Sequence, residues 1–250
     1  PTIVDATADL RRAARAIAAG KFANSGQTCI APDYVLVHAS VKDRLVAEIV
    51  SSIERAYGVG PDPQRATPDY CRIVNEKHYE RVRGLFDDAV ARGAKVVYGG
   101  TLSRGDRFIS PTIVGDVAPN SRIMEEEIFG PLLPIVTFTD IGEALALVNS
   151  KPKPLSLYVF SRSQPNIDRV LTETSAGGTC VNHAVIHFLH LNLPFGGVNN
   201  SGIGKSHGFF GFADFSHERS VLRDRCSIVH WLFPPYTRRV RKLIALTMKW

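Results

Sequence analysis

Apolar positions recur along the chain with two periods, and the alternation between them predicts the architecture. Thr2–Asp5 is a short extended run. Asp9 then precedes Leu10, Ala13, Ala14, Ile17 and Ala18, spaced as one face of a helix ending at Gly20, with the aspartate placed to cap its first N–H groups. Tyr34–Val37 reads as a strand, and Val41–Ala56 as a helix with Leu45, Ile49 and Ile53 on one face. Gly58–Pro68, rich in Gly, Pro and Asp, predicts a surface loop. Asn75 caps a helix reaching about Ala91, in which Tyr79, Val82, Phe86 and Val90 recur near the helical period; Gly93 ends it and Ala94–Tyr98 is a strand. Phe108–Val114 is extended, and a turn at Pro119–Asn120 follows.

The same alternation continues. Leu132–Phe138 is strongly strand-like, Asp140 caps a helix over Ile141–Asn149, and Leu155–Phe160 is a strand. Ile167–Thr172 belongs to a short helix, and Gly177–Asn182 has a β-rich bias. Helices leading through short loops into apolar strands predict an α/β fold: an open, mainly parallel twisted sheet with flanking helices.

Length and composition narrow the class. A chain of 250 residues can bury a sizeable core, and 44% hydrophobic with 22% charged residues is ordinary for a soluble globular protein. The formal charge of +6 is modest; it can attract anionic ligands but does not indicate nucleic acid. Four cysteines, Cys29, Cys71, Cys180 and Cys226, form no CxxC pair, so a reducing compartment such as the cytoplasm is expected. The opening PTIVDATADL has neither the basic nor the apolar region of a signal peptide, and no run is long and apolar enough to span a bilayer.

Candidate chemistry centres on Lys21–Tyr34, KFANSGQTCIAPDY. Cys29 sits between a helical pattern and a strand-like run, with Asn24, Ser25, Gln27 and Thr28 as polar neighbours and Gly26 free to turn or approach closely. A helix N-terminus aimed at such a sulfur would favour the thiolate and make it a nucleophile. A buried structural cysteine is the alternative. His183, His187 and His190 have no nearby carboxylate to complete a metal site, so no metal is expected. Glu127 could be a solvated acid beside Glu125 and Glu126, and Phe129 a core residue. Pro194–Gly204, with four glycines, lacks the pattern of a phosphate loop.

KFANSGQTC resembles the catalytic-cysteine signature of the aldehyde dehydrogenase superfamily, Phe-x-x-Ser/Ala-Gly-Gln-x-Cys. EEIFGPLLPI at Glu126–Ile135 and LPFGGVNNSGIG at Leu193–Gly204 resemble two further motifs of that family, in the family's order, and the likeness runs from Pro1 to about Val221. GQTCIAPDYVLV and FPPY look most similar to the dimeric enzymes of the coniferyl-aldehyde and fatty-aldehyde type. The resemblance implies a carboxy-terminal catalytic half. The amino-terminal cofactor domain, the usual general-base glutamate and the asparagine that helps hold the oxyanion are expected in a preceding segment absent here.

By the same resemblance, Cys29 is the nucleophile and its backbone N–H an oxyanion donor. Glu127 accepts hydrogen bonds from the nicotinamide ribose, and Phe129 packs beside it. Asn24, Gln27, Thr28, His187 and Phe195 line a substrate funnel or support the site. The cofactor is NAD or NADP, with NAD favoured, and the substrate an aromatic aldehyde such as coniferyl aldehyde or a medium-to-long aliphatic one. Asn199 stands where relatives commonly carry glycine, which puts the local backbone in question. Two other readings remain: an inactive half serving as a structural or interaction domain, and a cysteine-dependent thioesterase or acyl transferase.

The expected organisation is a catalytic domain over 1–208, an oligomerisation strand segment over 209–222, plausibly Phe209–Val221 covering a neighbour in a homodimer, and a basic tail over 223–250. From Thr237 the tail is amphipathic: Val240, Leu243, Ile244, Thr247 and Trp250 share a stripe, with Arg238, Arg239, Arg241 and Lys242 clustered at its start. It suits docking on its own or a partner subunit, or a peripheral membrane contact through 237–250.

Overall fold

The computed structural model describes residues 1–248. It contains strands β1 (Thr2–Val4), β2 (Val35–His38), β3 (Lys95–Tyr98), β4 (Leu102–Ser103), β5 (Phe108–Ile109), β6 (Thr112–Gly115), β7 (Leu132–Phe138), β8 (Ser156–Phe160) and β9 (Gly178–Val181). Helices are α1 (Leu10–Phe22), α2 (Lys42–Tyr57), α3 (Pro61–Ala66), α4 (Glu76–Ala91), α5 (Arg122–Glu125), α6 (Ile141–Asn149), α7 (Gln164–Glu173), α8 (Gly208–Asp214) and α9 (Arg238–Thr247).

Seven strands form one sheet in the order β3-β6-β7-β2-β1-β8-β9. All neighbours are parallel except β3, which runs antiparallel to β6 at the edge. The expected mainly parallel α/β fold is therefore the observed one. Successive strand side chains enter two different apolar clusters: Ile3, Leu36 and Leu132 join one, Val4, Val37 and Leu133 the other. This period of two places a core on each face of the sheet. The first core takes Tyr79, Val82 and Leu85 of α4 and Leu145 of α6; the second takes Ile17 of α1 and Leu45, Ile49 and Ile53 of α2.

The expected caps form. Asp9, Asn75 and Asp140 side chains accept backbone N–H groups of Arg12, His78 and Gly142. Four expectations need correction. The stretch 58–68, expected as a loop, holds α3, with a proline in its first turn. Helix α1 continues past Gly20 to Phe22, because its apolar stripe continues. The run 108–114 is two strands: β5 pairs with β4 in a separate hairpin, while β6 joins the main sheet. The segment 209–222 contains no strand; it holds α8 followed by irregular chain, and the first compact unit ends at Phe215 rather than residue 208. Gly208–Asp214 instead closes its own backbone hydrogen bonds as a short helix.

The second unit starts at Ser216 and contains α9, whose N-cap Thr237 accepts the Val240 N–H at 3.4 Å. Trp250, the last residue of the expected stripe, lies outside the described residues. Among the described residues no helix is long and apolar enough to cross a membrane.

Candidate active site

A cavity of about 400 Å³ is lined by Cys29, Thr28, Asp33, Glu127, Phe129 and Ser156, among others. Its walls are the segments entering four adjacent parallel strands, residues 26–34 before β2, 124–129 before β7, 148–155 with Ser156 at the start of β8, and Pro1 before β1, together with Asn200 and Ser201. The site thus sits at the amino edge of the sheet. Helix α1 runs into the cysteine segment with its C-terminal, carbonyl end, so this helix does not supply the positive N-terminal field that the sequence allowed for Cys29.

The local sequence folds into a brace around an exposed thiol. Asn24, Ser25 and Gly26 are consecutive residues of positive φ (51°, 52° and 73°), which turns the chain sharply out of α1. The Asn24 side chain donates to the Gln27 carbonyl at 3.0 Å. Ser25 Oγ donates to the Cys71 carbonyl at 2.5 Å. Gln27 donates to the carbonyls of Asn24 and Arg72 and accepts the Val74 N–H at 2.9 Å. From the other side, Tyr158 Oη on β8 donates to the Ile30 carbonyl at 2.5 Å. Burial raises the Tyr158 phenol, so it remains a donor. Cys29 itself is exposed, on a turn closed by Ala31 N–H to the Thr28 carbonyl at 3.0 Å. The buried-cysteine alternative does not describe it; Cys180, buried and raised by loss of hydration, is that kind of residue.

Opposite Cys29, the 127–130 segment is held in a strained form. Phe129 has φ 43°, a left-handed conformation that costs an aromatic residue roughly 1–3 kcal/mol and persists only where its surroundings impose it. Arg81 of α4 grips the segment, donating to the Glu127 carbonyl at 3.0 Å and the Ile128 carbonyl at 2.5 Å. Although Glu127 is solvent-accessible, protein packed around its carboxyl strips enough water to raise its pKa. Asp33 raises it further, while Arg81 and Lys21 pull it down.

The expected site residues separate into groups. Cys29, Thr28, Glu127 and Phe129 come together in the cavity. Asn24 and Gln27 face each other and the 72–74 backbone, and act as braces. His187 and Phe195 belong to an aromatic cluster with Tyr158, Phe188 and His207, including a stacked Phe195–His207 pair at 5.3 Å. His187 reaches the cavity wall only indirectly, with Nε2 3.1 Å from Ser156 Oγ. Among the described residues no histidine lines the cavity itself. Asn199 has φ 55°, so it adopts the left-handed conformation that a glycine would take.

Sequence reasoning missed Lys21, Asp33, Ser156 and Tyr158. Lys21 had a visible signal: it continues the stripe Leu10, Ala13, Ala14, Ile17, Ala18 and is buried. The other three depend on which loops the sheet brings together.

An exposed cysteine on a braced turn, lining one cavity with a carboxylate and an aromatic ring at the amino edge of a parallel sheet, defines an α/β domain with a candidate site built around a thiol. The model of the aldehyde dehydrogenase family matches residues 1–221, and the chain belongs to that family. It is 43% identical over 248 residues to the 4,4'-diaponeurosporen-aldehyde dehydrogenase of Staphylococcus aureus (strain NCTC 8325 / PS 47), covering 98% of this chain and 52% of that protein. It is 46% identical to the dimeric NADP-preferring aldehyde dehydrogenase of Rattus norvegicus, covering 89% of this chain and 47% of that one. A solved structure described as the substrate-bound state of Staphylococcus aureus AldH superposes with a TM-score of 0.87 at 42% identity, over 99% of this chain and 53% of its own. The chain therefore spans about half the length of these relatives.

Proposed function

We propose that this chain is the catalytic half of an NAD(P)-dependent aldehyde dehydrogenase that oxidises an aromatic or medium-to-long aliphatic aldehyde to its carboxylic acid. The observation that supports it is the convergence of Cys29 with Glu127 and Phe129 on one cavity from two separate stretches of sequence. Glu127 offers a carboxylate to accept ribose hydroxyls and Phe129 a ring to pack beside them, so the residues present fit a nicotinamide nucleotide. That nucleotide, when bound, supplies the two-electron acceptor.

The protein's own steps begin at sulfur. The Cys29 thiolate forms a C–S bond to the aldehyde carbon, and the carbonyl π pair moves to oxygen. The Cys29 backbone N–H is the donor this half offers the oxyanion. When the carbonyl re-forms, the carbon gives up its hydrogen with two electrons, and Cys29 is left acylated as a thioester. Water then adds, giving up a proton to a general base, the C–S bond breaks, and the acid leaves with thiolate restored.

Relatives' names leave NAD and NADP both open; NAD is the favoured cofactor. The assembly is a homodimer using 209–222, in which Phe209 and Phe215 are exposed. The tail 237–250 is a docking helix for its own subunit or a partner, with a peripheral contact to an anionic membrane from the cytoplasmic side as the second reading. In the full-length natural protein, coniferyl aldehyde or a long-chain aldehyde should drive reduction of NAD or NADP, and Cys29→Ser should abolish it. Undiminished turnover in Cys29→Ser would sink the reading.

A further inference from the structure

A lysine is buried behind the cavity where an apolar residue would fit the helix. Lys21, in the last turn of α1, is 1% exposed and occupies a position in a stripe otherwise made of Leu, Ile and Ala. Burying an ammonium carries a desolvation penalty of several kcal/mol before compensation. Part of that is offset by the carbonyl end of α1, which favours cations, and by a long contact of Nζ to the Asp33 carbonyl at 3.4 Å. The fold alone gains little from such a residue, so its neighbours are where its effect falls.

Those neighbours are two carboxylates of the cavity wall. The Lys21 charge acts on Asp33 and Glu127. Asp33 Oδ1 in turn accepts the backbone N–H of Ile128 at 3.1 Å, so the residue after Glu127 is fixed by Asp33. The charged groups around the Glu127 carboxyl are therefore Lys21 from α1, Asp33 from the loop before β2 and Arg81 from α4. Glu125 and Glu126 flank it on its own segment, and Lys151, also lining the cavity, donates to the Met124 carbonyl. Of these groups, Lys21 and Asp33 belong to the cysteine segment and Arg81 to α4.

We propose that Lys21 and Asp33 are positioning residues for Glu127: Asp33 fixes the backbone beside it through the Ile128 N–H, and Lys21, buried behind the cavity, holds the Asp33 carbonyl and sets a positive charge behind that segment. This rests on the reading of Glu127 as the carboxylate facing the cofactor. Lys21 favours the ionised Glu127 and Asp33 disfavours it. Neutralising each should therefore move Glu127 in opposite directions, which a merely structural pair would not do.

The test uses the full-length natural protein with Lys21→Met and Asp33→Asn; Lys21→Gln replaces the methionine variant should that one fail to fold. Selective ¹³C labelling of glutamate carboxyls, with the Glu127 signal assigned by its loss in Glu127→Gln, follows the group directly. Lys21→Met should shift its titration to higher pH and Asp33→Asn to lower pH. The acid limb of kcat/KM for the nucleotide should move in the same two directions. A Glu127 titration that neither variant moves, or that both move the same way, overturns the proposal. Opposite shifts in a protein that reduces neither NAD nor NADP with any aldehyde would leave the positioning intact and sink the proposed function instead.

Discussion

A Cβ placed on Gly26 would stand 2.3 Å from the carbonyl oxygen of Gly130. The cysteine segment and the Glu127–Phe129 segment thus meet backbone to backbone, and Gly26 is also held at φ 73°. Gly26→Ala is strained twice over, by conformation and by contact with an atom that cannot swing away. It should cost on the order of 3 kcal/mol in urea unfolding and most of the Cys29-dependent ester hydrolysis. Gly105→Ala is the control: nothing lies within 4 Å and its φ is ordinary, so stability should change by less than about 0.5 kcal/mol. Equal effects of the two substitutions would show that the close approach constrains nothing.

Glu127→Gln keeps the shape of the side chain and removes the charge that accepts hydroxyl hydrogen bonds. The step that transfers the aldehyde hydrogen should slow by on the order of tenfold or more, whereas hydrolysis of the acyl-enzyme should hardly change. A deuterated aldehyde separates the two: the isotope effect on kcat should grow in Glu127→Gln as transfer becomes limiting. An unchanged transfer rate would contradict the assignment of Glu127 to the nucleotide.

Much of this was legible in the chain before any coordinates. Periodicity fixes α1, α2, α4 and β7 because each has one or two faces that must be buried, and the α/β alternation follows from those faces. The motif around Cys29 was legible as a motif, yet the division of labour inside it was not. Asn24 and Gln27 look as suited to contact a substrate as Thr28 does; only the positions of the Arg72 carbonyl and the Val74 N–H turn Gln27 into a brace. Glu127 and Phe129 reach Cys29 because β7 lies beside β2 in the sheet, a neighbour relation that spacing along the chain does not encode. The segment 209–222 shows the converse failure. Its likeness to an oligomerisation strand describes a pairing with another chain, whereas Gly208–Asp214 is helical.

Lys21 should leave a mark on stability as a function of pH. Burial lowers its pKa from 10.5 to about 8, against the attraction of Asp33 and Glu127. Between these two values the unfolded chain binds more protons than the folded one, so stability rises with pH across the window. The penalty is fully present below about pH 8 and relieved as pH climbs towards 10.5. The rise should reach on the order of 2–3 kcal/mol. Above pH 10 the raised phenols of Tyr34 and Tyr158 work in the other direction, because the unfolded chain loses those protons first. Wild type minus Lys21→Met cancels the tyrosines. Urea midpoints at pH 8, 9 and 10 should therefore converge or cross between the two proteins, and parallel curves would show that Lys21 does not titrate in this window.

The tail sets its charges against its own helix dipole. Arg238, Arg239, Arg241 and Lys242 crowd the amino-terminal half of α9 and no acidic residue lies in it, although cations are favoured at the other end. Leu243, Leu246 and Met248 are exposed. An anionic surface would relieve the charge repulsion and bury the apolar groups together, each basic residue adding about 1 kcal/mol near such a surface. The full-length protein should float with phosphatidylserine-containing vesicles and not with phosphatidylcholine alone, and the association should weaken as salt is raised. Deleting 237–250 should abolish flotation and leave aldehyde turnover intact. Flotation that survives the deletion would move the membrane contact elsewhere on the molecule, and no flotation of the intact protein would leave α9 to a protein surface.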